Sequence, residues 1–196
     1  MLKGGLVIIS APSGTGKSTI VRKLLGRWKN LKASVSCTTR SPRAGEKNGK
    51  HYFFIEKEEF KRRISRNEFL EWAVVHDEYY GTPREFIDAT TAAGQNVVLA
   101  IDVQGAAAIR RKKPESILIF IVPPSMETLK ERLASRRDES ESVARRLANS
   151  REELDAAKKY DYIVINDDLE QAVFQIECIL TAEGLKSSRQ PILELA

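Results

Sequence analysis

Four short runs, at residues 6–9, 97–101, 117–122 and 162–165, are apolar without polar alternation. That pattern predicts strands buried on both faces of a parallel sheet. Helical spacing fills the stretches between them. Leu169, Ala172, Val173, Ile176, Ile179 and Leu180 form one apolar stripe, which predicts an amphipathic last helix. Thr82-Pro83-Arg84-Glu85 has the form of a capping box with proline at the first helical position, so a helix is expected to start there and run towards Gly94. Strands alternating with helices predict an α/β fold, a parallel sheet flanked by helices. Two stretches break the alternation. Residues 34–80 hold most of the polar-aromatic material, including Tyr52, Phe53, Phe54, Trp72, Tyr79 and Tyr80, and predict an inserted α+β subdomain. Residues 132–151 are crowded with arginines and acids and have few large apolar side chains, which predicts a helix-loop-helix free to act as a lid. The remainder, 1–33, 81–131 and 152–196, forms the expected core of one domain.

Composition narrows this picture without naming a chemistry. The chain has 196 residues, 42% hydrophobic and 30% charged, which suits one folded domain and excludes a disordered polymer. Lys and Arg number 32 against 27 Asp and Glu, and the net charge of +5 favours anionic ligands, either nucleic acid or phosphorylated metabolites. No nucleic-acid motif is present, so a nucleic-acid partner is not expected. Cys37 and Cys178 stand far apart with no CxxC pattern, which points to reduced thiols rather than a disulfide framework or a zinc site. The apolar run at 6–9 is too short for a signal peptide or a membrane span, so a cytoplasmic protein with no membrane partner is expected. No pattern in the sequence specifies an oligomeric state.

The chemistry enters with Leu6-Val7-Ile8-Ile9-Ser10 followed by Ala11-Pro12-Ser13-Gly14-Thr15-Gly16-Lys17-Ser18-Thr19, a strand, a small-residue loop and a helix start. This is the context of a P-loop. Phosphates need several converging backbone N–H groups, and glycines let the main chain wrap closely while the helix offers its positive end. Residues 11–18 are therefore the candidate ATP cradle, with Lys17 reaching the β- and γ-phosphates and the Ser18 hydroxyl on Mg²⁺. Ala11 stands where the motif usually has its first glycine, and it fits only if φ there stays negative. A P-loop leaves the acceptor open, because ATPases and GTPases share it.

Ser36-Cys37-Thr38-Thr39-Arg40-Ser41-Pro42-Arg43-Ala44-Gly45-Glu46, followed by Gly49-Lys50-His51-Tyr52-Phe53-Phe54, bears on that question. Arg40 and Arg43 lie three apart around a proline turn, with Tyr52 on an expected strand. Two guanidinium forks and a phenol suit a phosphate monoester. Taken singly, each arginine is equally well explained as exposed surface.

These segments, with Phe69-Leu70-Glu71-Trp72, Tyr79-Tyr80-Gly81-Thr82, Ile101-Asp102-Val103-Gln104-Gly105, Pro123-Pro124-Ser125 and Asn166-Asp167-Asp168, resemble the guanylate kinase family in order and over nearly the whole chain. The resemblance implies a P-loop core, a GMP-binding subdomain and a lid, and transfer of the ATP γ-phosphoryl group to GMP, with dGMP as a second acceptor and Mg²⁺ accompanying ATP. It further implies that Arg40, Arg43, Tyr52 and Tyr80 hold the GMP phosphate and that Ser36, Glu71, Thr82 and Asp102 surround guanine. On its position alone Asp102 suits the magnesium shell equally well. Arg132, Arg136 and Arg146 are the implied lid arginines, acting with Lys17 and Arg40 on the transferring phosphate. The chain departs from the family pattern at Ala100, where an acid is usual, at Arg137, where a glycine is usual, and in a lid loop one residue short before Val143. Two other readings keep the fold: a kinase for another small phosphorylated acceptor, and a guanylate-kinase-like interaction module. Glu71, Ser36 and Thr82 argue against the first, and the intact Gly16-Lys17-Ser18 argues against the second.

Overall fold

The structure, a computed structural model, describes residues 4–75, 77–134 and 143–190. Its main sheet contains β1 (Leu6–Ser10), β2 (Leu31–Ala33), β7 (Asn96–Ala100), β8 (Ile117–Val122) and β9 (Tyr162–Ile165). They run parallel in the order β2-β7-β1-β8-β9, with Ile8 opposite Leu99 on one side and Leu118 on the other. A second sheet, in the order β4-β3-β6-β5, joins β3 (Cys37–Thr38), β4 (Phe53–Phe54), β5 (Phe69–Val75) and β6 (Glu78–Pro83). The helices are α1 (Lys17–Arg27), α2 (Lys57–Ser65), α3 (Arg84–Ala92), α4 (Val103–Lys112), α5 (Met126–Ala134), α6 (Val143–Ala156) and α7 (Leu169–Gly184).

The apolar runs explain the layers. Val7, Ile9, Ile119 and Ile121 face Ile20 and Leu24 of α1 and Val173 and Ile176 of α7. Ile8, Leu99 and Leu118 face the other way, onto Ile87 of α3 and Ile109 of α4. Each such side chain taken fully out of water contributes about 1.5–3 kcal/mol before entropy is counted. The second sheet has its own small cluster of Cys37, Phe60 and Phe69, with the Phe60 and Phe69 rings stacked at 4.4 Å between centroids. Cys37 is a buried free thiol and Cys178 an exposed one. Among the described residues, no helix is long and apolar enough to cross a membrane.

Two expectations are corrected. The run at 162–165 is a strand, but only Val164 is buried: β9 lies at the sheet edge and leaves Ile163 and Ile165 each 56% exposed. Helix α3 does start at Arg84, yet the capping box does not form, because Pro83 is the N-cap residue and makes no side-chain cap. Thr82 is instead the partner of Glu71 in the β5–β6 ladder, and its hydroxyl donates to that carboxylate. A buried carboxylate is the more demanding acceptor, so it wins the hydroxyl from the helix end.

Candidate active site

The carboxyl ends of β1 and β7 open at the middle of the parallel sheet, the position where such sheets bind ligands. From β1 the chain turns at once into the cradle. Gly14 and Gly16 have φ of +88° and +94°, a region closed to most side chains. Ala11 is buried and is not among the positive-φ residues, so its methyl group is accommodated without backbone strain. The Pro12 carbonyl accepts from Thr15 twice, from its N–H at 3.2 Å and its hydroxyl at 2.6 Å, which closes the loop on itself. Buried Asn166 then locks it from behind, donating to the Thr15 carbonyl at 2.6 Å. A Cβ on Gly16 would lie 2.6 Å from the Asn166 amide, so both the φ and the contact require glycine. Ser13 and Ser18 are exposed at the rim, and α1 begins at Lys17 with its first N–H groups free of helix partners.

Lys17 reaches across to the residue just past β7, its ammonium donating to the Ile101 carbonyl at 3.2 Å. Burial pushes its pKa below the ordinary lysine value, and the charges of Asp102 and Glu153 oppose that shift. Asp102 caps α4, its Oδ1 accepting from the Gly105 N–H at 2.8 Å. One oxygen of the expected base-reading or metal-shell carboxylate is thus engaged in the helix cap.

Facing the cradle is an open cavity of about 220 Å³. Lys17, Ser36, Tyr52, Glu71, Tyr80 and Asp102 all line it, so six of the residues singled out from the sequence converge there. Glu71 is 7% exposed, and burial pushes its carboxyl above the usual range, with the Asp102 charge adding to the effect and the Thr82 hydroxyl and Lys112 opposing it. Its second oxygen passes α4 so closely that a Cβ on Gly105 would meet it at 3.2 Å. Thr82 is fully buried behind Glu71.

Arg40 is half-buried among aromatic rings, its guanidinium 5.6 Å from the centre of Tyr52 and 5.8 Å from that of Phe54. Its Nε donates to the Tyr80 hydroxyl at 3.2 Å, and its Nη2 donates to both oxygens of Glu46 at 3.0 Å. Glu46 also accepts from the Arg43 N–H at 2.8 Å. These contacts, outweighing burial, hold the Glu46 carboxyl below its usual range and raise Arg40 above its own. Arg43 is exposed at the turn, within electrostatic reach of Tyr52 and Glu46.

The three lid arginines separate. Arg132, on α5, donates to the Asn166 carbonyl at 3.1 Å, the same residue that locks the cradle. Arg146, on α6, is 7% exposed, far from the solvated surface arginine its neighbours suggest. Arg136 lies outside the described residues, as do Arg137 and the shortened loop. Sequence reasoning missed Glu46, although Arg40, Arg43 and Glu46 recur at intervals of three through one turn. It also missed Glu153, Gly105 and the locking role of Asn166, which no local pattern announces.

A family model described as guanylate kinase matches residues 3–183. A guanylate kinase of Caldanaerobacter subterraneus subsp. tengcongensis is 50% identical over 194 residues, covering 98% of this chain and 94% of the relative. One from Neisseria gonorrhoeae is 50% identical over 189 residues, covering 96% and 92% respectively. Among solved structures, guanylate kinase from Anaplasma phagocytophilum superposes with a TM-score of 0.81 at 37% identity, over 97% of this chain and 91% of that one. A P-loop facing a carboxylate-lined cavity, a family model over most of the chain and relatives at half identity along its length agree: the chain belongs to the guanylate kinase family.

Proposed function

We propose that the cavity between the P-loop and the second sheet binds GMP, and that residues 11–18 hold ATP so that its γ-phosphoryl group passes to the GMP phosphate, giving ADP and GDP. The single observation that carries this reading is that Lys17 and buried Glu71 line one and the same cavity. Guanine presents N1–H and an N2 amino group side by side, and an ionised carboxylate accepts both. Arg40, Arg43, Tyr52 and Tyr80 hold the GMP phosphate. Glu46, now paired with Arg40, marks where an anion is stabilised and gives way to it or supports the arginine from behind. Ser36 and Thr82 serve the base edge, Thr82 through Glu71, and Asp102 lines the same cavity. dGMP is the proposed second acceptor.

The acceptor phosphate is itself the nucleophile, and no general base is needed. Catalysis then rests on positioning and on charge stabilisation by Lys17, Arg40, Arg132, Arg136 and Arg146. Mg²⁺, when bound with ATP, neutralises charge on the β- and γ-phosphates. Ser18 suits it, being an exposed hydroxyl at the first turn of α1 beside Lys17, and Mg²⁺ needs few protein ligands when phosphates and waters supply the rest. The working division is a core of 1–33, 81–131 and 152–196, a GMP-binding subdomain of 34–80 and a lid of 132–151 that closes over both nucleotides.

ATP labelled in its γ-phosphate tests the reaction. With GMP present the label is expected in the β-phosphate of GDP, one ADP forming per GDP, and chelation of divalent metal abolishes the transfer. Release of the label as inorganic phosphate, indifferent to GMP, would mark a simple ATPase instead.

A further inference from the structure

Strand β5 changes face partway along its length. In a regular strand, residues two apart share a face of the sheet. Phe69 and Glu71 do not. Phe69 packs with Cys37 and Phe60 in the cluster of the second sheet, whereas Glu71 lines the cavity together with Ala73 and Val75. The β5–β6 register accounts for the inversion: Phe69 stands opposite Pro83 and Glu71 opposite Thr82, so two steps along β5 match one along β6. Leu70 is the extra residue of a β-bulge, and a bulge re-aims the side chains that follow it. Without it, the alternation that buries Phe69 would turn Glu71 away from the cavity, because a shift of one residue moves a side chain to the other face.

The bulge is held from the core. The Leu70 side chain is buried in the cluster that contains Ile87 of α3 and Ala106 and Ile109 of α4. Its carbonyl accepts from the Lys112 ammonium at 2.6 Å. Lys112 is the last residue of α4, and positions 105, 109 and 112 share one face of that helix at helical spacing. That face meets β5 three times: at Gly105, whose missing Cβ leaves room for the Glu71 carboxylate, at Ile109 in the cluster with Leu70, and at Lys112. The Phe69 carbonyl has a different partner, the Arg84 guanidinium of α3 at 3.4 Å, so the two carbonyls flanking the turn of the strand are held by separate helices. Lys112 is otherwise exposed, and replacing it leaves the packed core untouched.

We propose that Lys112 is a positioning residue for base recognition: by holding the Leu70 carbonyl from α4, it keeps the bulge that turns Glu71 into the cavity. A protein lacking the ammonium samples a relaxed bulge with Glu71 misdirected, and GMP must restore the bulge as it binds. Once GMP is bound the geometry is the same, so turnover is retained. AMP makes no use of the Glu71 carboxylate and is indifferent to the change.

The inference rests on Glu71 being the acid that reads guanine, and the test separates the two. The wild-type chain, Lys112→Met and Lys112→Arg are compared in steady state with ATP, Mg²⁺ and either GMP or AMP, at a mildly alkaline pH chosen to keep the Glu71 carboxyl ionised, so that position rather than charge is read. Lys112→Met is expected to raise KM for GMP by about 10-fold, the low end for losing a hydrogen bond made by a charged group, with kcat and KM for ATP unchanged. Its kcat/KM for AMP stays at the wild-type value, so the GMP-to-AMP ratio narrows by the same factor. Lys112→Arg, which keeps a cationic donor on a long stem, is expected to restore most of that ratio. In a Glu71→Gln background, Lys112→Met is expected to change the ratio far less than it does in the wild type. The inference alone is overturned by an unchanged KM for GMP in Lys112→Met, by an equal loss with GMP and AMP, by a Lys112→Arg protein as impaired as Lys112→Met, or by an effect of full size in the Glu71→Gln background. A wild type that does not prefer GMP to AMP overturns the assignment of Glu71 together with it.

Discussion

Lys17→Ala is expected to lower kcat by ~10²-fold or more, the loss seen when other donors to a developing transition-state charge are removed. Phosphoryl transfer leaves the protein little covalent work, so a charge placed beside the moving group accounts for much of the barrier reduction. The proposed role gives Lys17 that place. It opens α1, its ammonium is drawn across the cradle to the Ile101 carbonyl, and the carboxylates of Asp102 and Glu153 favour its charged form against burial. The substitution should spare the fold, because alanine is the best helix former and the loop is closed by Thr15, Pro12 and Asn166 rather than by the lysine. Thermal unfolding and GMP binding measured alongside kcat separate the two effects. Near-normal turnover in a folded Lys17→Ala protein would remove this lysine from the reaction.

Glu71→Gln is expected to change which base is accepted rather than whether a nucleotide binds. In the proposed role the wild-type carboxylate accepts from both N1–H and N2–H of guanine, whereas AMP offers a bare N1 acceptor, and two acceptors facing each other repel. Sites built around a substrate's hydrogen bonds reject analogues lacking them by ~10⁴-fold or more. Burial makes the rejection costly, since a largely buried carboxylate left facing an acceptor keeps its desolvation penalty without a hydrogen bond to offset it. Glutamine keeps the shape and the Thr82 contact but offers one acceptor and one donor. Its kcat/KM for GMP should fall and the gap to AMP should narrow, while Arg40, Tyr52 and Tyr80 still hold either phosphate. Because burial raises the Glu71 carboxyl, guanine recognition should also weaken as pH falls and the acid becomes protonated. An unchanged GMP-to-AMP ratio in Glu71→Gln would take this residue out of base reading.

The sequence was most legible where one local cause determines one local outcome. Unbroken apolar runs mark β1, β7 and β8 because those strands are covered on both sides, and Gly14 and Gly16 mark the cradle because only glycine tolerates its φ. It misled where two local causes compete for one atom. Thr82 carries a helix-cap signature, but the fold brings a buried carboxylate from β5 opposite it, and a partner eleven residues away in sequence prevails. Asp102 shows the reverse, since a residue expected at the base or the metal spends one oxygen on the first turn of α4. The residues missed altogether act at longer range. Asn166 meets Thr15 only because β9 and β1 end at the same side of the sheet, and Glu153 acts on the charge of Lys17 from a distant part of the chain. Nothing in the surrounding residues of either position carries that information.

The central claim, a phosphoryl transfer from ATP to a guanine nucleotide at this cavity, is tested most directly by ADP release from the full chain with ATP, Mg²⁺ and each of GMP, dGMP, AMP, CMP and UMP in turn. GMP is expected to give the highest kcat/KM, dGMP to be accepted, and AMP, CMP and UMP to fall below GMP by several orders of magnitude, in keeping with a base read by its hydrogen-bonding edge. ADP release that ignores the added nucleotide, or that proceeds as well with AMP as with GMP, would contradict it.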